Sequence, residues 1–141
     1  MSKATENFWP VEPLPLEDPE PVRLLKQQAD LLRGLHGGQI EGFVKMSTEE
    51  GTAYHSLYLK ADALGNYLYK LLYIAYPAIR ATESVYPISA QTSAGESSVR
   101  LKNDDEFREW LRLQLSSDFV KRAISNLLRY IRDRRTSAQS R

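Results

Sequence analysis

Apolar residues along this chain follow two periods, and the change from one to the other predicts its elements. Val22, Leu25, Ala29 and Leu32 recur at helical spacing, with Leu24, Leu31 and Leu35 widening the stripe. Pro21 stands where a first helical residue would, because its missing N–H costs nothing there. Gly34-Leu35-His36-Gly37-Gly38 closes that helix with residues suited to a helix end. Gln39 to Met46 then reads as a strand, Ile40 and Val44 on one face and Phe43 on the other. Ala53 to Lys60 alternates more cleanly. Ala53, His55, Leu57 and Leu59 share one face, and Tyr54, Ser56, Tyr58 and Lys60 the other. Tyr67 to Tyr76 is apolar on both faces apart from Lys70, the pattern of a central strand covered on both sides.

Asp62-Ala63-Leu64-Gly65-Asn66 supplies the turn between these last two runs, since glycine takes positive φ freely and asparagine tolerates it. The resulting hairpin holds six of the eight tyrosines. Ser84 to Ser89 reads as a short fourth strand, with Pro87 suggesting an edge. Ser89 to Ser98 is almost free of apolar residues and reads as a loop, with Val99 and Leu101 able to add a short strand. Asn103 caps a further helix, Glu106 completes a capping box, and Phe107, Trp110, Leu111 and Leu115 form its apolar face. Ser116-Ser117-Asp118 breaks and recaps the chain before a last helix carrying Val120, Ile124, Leu127 and Ile131.

The fold class expected is therefore α+β: an N-terminal helix, a four-stranded antiparallel meander and two C-terminal helices packed on the sheet. Residues 1–20 form a Pro-rich acidic arm holding Pro10, Pro13, Pro15 and Pro19, residues 21–133 one domain, and residues 134–141 a polar basic tail. Leu64-Gly65-Asn66-Tyr67-Leu68-Tyr69 followed by Tyr86-Pro87-Ile88 is similar to short bacterial proteins of unknown function. That resemblance spans about Pro21 to Ile131 and implies no activity, so it assigns no residue a role.

Composition narrows the function classes. A hydrophobic share of 42% with 26% charged residues is that of a water-soluble domain, and no apolar run approaches a membrane span. The first residues lack a secretory core, so a cytoplasmic location is expected. Without cysteine there is no thiol nucleophile and no thiolate metal site. The net charge of +1 hides an uneven distribution. Between Met1 and Pro21 one lysine faces five acids, whereas from Phe119 to Arg141 seven basic residues face Asp133 alone. These ends can pair, within one molecule or across two, or can each be simply solvated.

No catalytic constellation, metal site or cofactor motif emerges. The glycine-rich segment ends a helix rather than opening one and lacks a phosphate-binding Lys-Ser/Thr. His36 and His55 have no ligand partner at helical or strand spacing, and His55 shares its face with leucines, as a semi-buried histidine would. The tyrosines admit three readings: cross-strand packing, contacts for a protein partner, or a stacking platform for bases. Phe8-Trp9-Pro10 either seats Trp9 in a groove of its own domain or reaches a partner. The expectation is a non-enzymatic interaction module, whether regulatory, inhibitor- or immunity-type, or an assembly subunit. Its partner, a protein or a second copy, would meet Trp9, Tyr54, Tyr58, Tyr67 and Tyr69. The alternative is a nucleic-acid accessory protein using Lys121, Arg122, Arg129 and Arg132 of the last helix, a patch that a solvated helix face also explains.

Overall fold

The hairpin turn is built as its residues demand. Asp62–Leu64 forms one 3-10 turn, and Gly65 and Asn66 follow at φ 75° and 59°. On either side lie the two longest strands of a five-stranded antiparallel sheet in a computed structural model that describes residues 5–95 and 97–139, with side chains of the last helix described to Thr136. The elements in chain order are α1 (Glu20–Leu32), β1 (Glu41–Glu49), β2 (Thr52–Ala61), β3 (Tyr67–Pro77), β4 (Ile88–Thr92), β5 (Val99–Leu101), α2 (Asp104–Leu115) and α3 (Asp118–Gln139). The sheet is a meander in the order β1-β2-β3-β4-β5.

Five strands replace the four expected, and the difference lies in the fourth. Ser84 to Pro87 is not strand. Val85 is buried in the core, and Tyr86 donates its phenolic hydrogen to Asp104 at the start of α2. Packing and that hydrogen bond hold these residues without a ladder. The strand forms instead over Ile88–Thr92, whose small side chains disguise it as loop, and β5 pairs beyond it. Pro87 therefore precedes an inner strand, and β1 and β5 are the edges. Helix α3 continues into the polar basic segment as far as Gln139, since nothing in Arg134-Arg135-Thr136 breaks a helix and Thr136 donates to the Arg132 carbonyl. Ser140 and Arg141 lie outside the described residues.

Burial divides the sheet into two unlike faces. Leu57, Leu59, Ile74, Ala90 and Leu101 point toward the helices and form one core with Val22, Leu25, Phe107, Leu111, Val120, Leu127 and Ile131. Leu31 and Leu35, read as widening the α1 stripe, are exposed instead. Helix α1 sits directly on β1 at Gly42, where a Cβ would lie 2.5 Å from the Ala29 Cα, so only glycine fits the crossing. Helix α2 starts as expected, with the Asn103 side chain accepting from the Glu106 N–H at 2.9 Å. Glu106 reaches back to the Lys102 N–H, one residue beyond the N-cap that a regular capping box would use. An ion pair of 2.8 Å between Arg108 and Glu20 ties α2 to the first turn of α1.

Candidate functional site

The pairing of β2 with β3 carries a bulge that decides which tyrosines share a surface. Leu57 pairs with Leu72 and Tyr58 with Lys70, leaving Leu71 as an extra residue in β3. Leu71 and Leu72 are both buried, and the alternation of β3 changes phase between them. Before the bulge, Tyr67 and Tyr69 oppose Ala61 and Leu59 and so face the helices. After it, Tyr73 and Ala75 oppose Ser56 and Tyr54 and face away. The Leu71 carbonyl accepts from the Ser93 N–H at 2.9 Å, which gives the displaced backbone a partner.

Four tyrosines expected to act together are thus divided. Tyr54 and Tyr58 lie on the face turned away from the helices, whereas Tyr67 and Tyr69 do not. The open face carries Phe43, Tyr58, Tyr54 and Tyr73 in two ring contacts, Phe43 to Tyr58 at 6.4 Å and Tyr54 to Tyr73 at 5.8 Å. Lys70 joins the two pairs, its Nζ 5.9 Å from the Tyr58 ring centre and 5.5 Å from that of Tyr73. The Tyr73 hydroxyl donates to Gln91 at 2.6 Å, which fixes its ring. Phe43 is 43% exposed and Leu68 44%, and among the described residues the helices pack on the other face. The strand Tyr67 to Tyr76, expected to be covered on both sides, is covered by helices on one face alone among the described residues. Phe43, Lys70 and Tyr73 are the members that sequence reasoning missed, and strict alternation puts Lys70 and Tyr73 on opposite faces.

Tyr67 and Tyr69 belong to a different site. With Leu64, Phe119, Leu127 and Tyr130 they line an apolar groove of about 630 Å³ between the start of β3 and α3. Tyr69 and Phe119 meet at 6.3 Å, and Arg122 stands in the groove lining. Phe119 and Tyr130 were legible only as parts of an amphipathic helix. The four basic residues of α3 read as one patch, Lys121, Arg122, Arg129 and Arg132, also separate. Arg129 and Arg132 line a groove with His36 and Arg135, Arg122 lines the apolar groove, and Lys121 lines neither. Asp133 lies within 3.9 Å of Arg129 and 3.8 Å of Arg132.

Trp9 is not seated in a groove of its own domain, being 81% exposed. Near the end of the arm, Leu14 to Asp18 share a cleft with Ala78 to Glu83. Its acids Glu17 and Asp18 pair with Arg23 and Lys26 of α1 rather than with α3.

His55 is a core residue of the helix face, 7% exposed. Its Nε2 lies 2.7 Å from the Tyr76 hydroxyl, its ring stacks on Tyr76 at 5.4 Å, and Arg80 covers Tyr76 at 5.0 Å. Nδ1 is buried with no hydrogen-bond partner among the described residues. Burial lowers the His55 pKa below its ordinary value, the nearby Asp18 opposing and Lys26 adding to the shift. Burial likewise raises the Tyr76 hydroxyl, with Arg80 opposing. A neutral, stacked histidine fits these surroundings. Among the described residues no cluster of three potential metal ligands occurs, and no helix is long and apolar enough to cross a membrane.

No family model matches the sequence, and no curated protein or solved structure matches it either.

Proposed function

We propose that this chain is a non-enzymatic protein-interaction module whose binding surface is the open face of the sheet. The observation that carries the reading is the position of Lys70 between Tyr58 and Tyr73 on a face that, among the described residues, no helix covers. Tyrosines offer large, rigid contact area at small entropic cost, and a cation among them selects for a carboxylate. Lys45 and Arg100 stand on the same face, at positions paired with Ser56 and Ser89. The partner is accordingly a protein with an apolar patch and a carboxylate that meets Lys70. Trp9 and the arm are not needed for this contact.

Photo-crosslinking tests it, with a benzoylphenylalanine placed at Tyr58 or Tyr73 and, as control, at Leu113 on the exposed side of α2. The reading expects one discrete adduct from the two sheet positions, absent at Leu113 and lost in the Lys70→Glu variant. Equal labelling from all three positions contradicts it.

A second reading has one observation in its favour, the convergence of Arg129, Arg132, Arg135 and His36 on one groove. Such a groove suits a phosphate backbone. Asp133 between two of these arginines weakens it.

A further inference from the structure

The Pro-rich arm and the Tyr69 groove are complementary, and they sit at opposite ends of the domain. Phe8, Trp9, Val11 and Leu14 are all exposed on the arm. The groove is walled by Tyr67, Tyr69, Phe119 and Tyr130, and Arg122 stands beside them. Aromatic-lined grooves accept polyproline segments, because ring faces pack on prolines and the ligand backbone is already ordered. The arm offers Pro10, Pro13 and Pro15 around its apolar residues, with Glu6 and Glu12 on either side of Phe8 to Val11. Glu6 and Glu12 are opposite in charge to Arg122 of the groove lining.

The arm does not seat Trp9 in the groove of its own chain: Trp9 is 81% exposed, and Glu17 and Asp18 pair with Arg23 and Lys26 of α1. Leu14 to Asp18 line a cleft with Ala78 to Glu83, just past the last residue of β3, while the groove lies at that strand's first residues. We propose that the groove is occupied by the arm of a second copy of this chain, in a reciprocal exchange that closes a two-fold dimer. This goes beyond the open-face reading and uses none of its residues, so the two can fail separately.

Sedimentation equilibrium of the full chain tests the exchange, using Trp9→Ala, Tyr130→Asp and, as control, Tyr58→Asp. Trp9 and Tyr130 are mostly exposed, so both variants should fold, which circular dichroism checks. The expected result is a dimer whose dissociation constant rises at least tenfold in each of the first two variants and is unchanged in the third. Mixing Trp9→Ala with Tyr130→Asp should restore part of the association, since one intact arm then meets one intact groove. A monomer at all concentrations overturns the proposal, as does a dimer indifferent to Trp9 and Tyr130. A dimer lost in Tyr58→Asp overturns it too and assigns self-association to the open face.

Discussion

Tyr69 and Tyr73 stand four residues apart in one strand yet face opposite sides of the sheet, because Leu71 is an extra residue between them. Tyr69 meets Phe119 under α3, whereas Tyr73 meets Tyr54 on the open face. The bulge therefore builds two separate aromatic surfaces from one tyrosine-rich hairpin. Deleting Leu71 would restore strict alternation, turning either Tyr67 and Tyr69 or Leu72, Ile74 and Tyr76 out of the core. Urea unfolding should show the deletion to cost more than Leu71→Ala, itself expected at about 2–4 kcal/mol for a buried leucine. A deletion that costs less than the alanine substitution would show that the bulge does not set the phase.

His55 should make stability depend on acid. Its folded pKa lies below the ordinary value of 6.5, so the unfolded chain binds the proton more readily. Stability is then fully present above about pH 6.5 and falls as pH drops from there through the lower folded pKa. Protonation would also give Nδ1 a buried N–H with no acceptor among the described residues. Thermal unfolding between pH 8 and 5 should show this loss, and His55→Phe should flatten its share of it. An unchanged profile in the variant would exclude His55 as the source.

Gly42 should tolerate no side chain. A Cβ there would meet the Ala29 Cα at 2.5 Å and its carbonyl oxygen at 2.7 Å, and backbone cannot step aside as a side-chain tip can. Gly42→Ala is expected to cost about 1–3 kcal/mol through overpacking at the α1–β1 crossing. A neutral result in chemical denaturation would mean that α1 can lift from β1 freely.

The basic groove on α3 makes its own prediction. If Arg129, Arg132 and Arg135 hold a phosphate backbone, an oligonucleotide should bind at low salt and weaken steeply as salt rises. Fluorescence anisotropy with single- and double-stranded probes checks it, Arg132→Glu serving as control. Absence of binding in low salt would remove the nucleic-acid reading.

The periodicities in the sequence carried the helices, the hairpin and the leucine face, because each rests on local spacing that burial then obeys. Asn103 at the α2 cap and Gly65-Asn66 at the turn were legible for the same reason: one residue type satisfies one local demand. The rest depended on partners distant in sequence. Ile88–Thr92 became strand because β3 and β5 supply its ladder, while Val85 and Tyr86 left the sheet for the core and Asp104. The bulge at Leu71 left only a Leu-Leu doublet, which reads equally well as a strand buried on both faces. That single ambiguity is why four tyrosines looked like one site.

Affinity for the partner captured by crosslinking tests the open-face account most directly. Tyr58→Asp would set a carboxylate among the rings beside Lys70, and losing a central aromatic anchor commonly costs about 2 kcal/mol or more, roughly thirtyfold in affinity. The account predicts at least that loss for Tyr58→Asp, a comparable one for Lys70→Glu, and none for Leu113→Asp, with circular dichroism unchanged in all three. A folded Tyr58→Asp variant that binds as tightly as the original chain would contradict it.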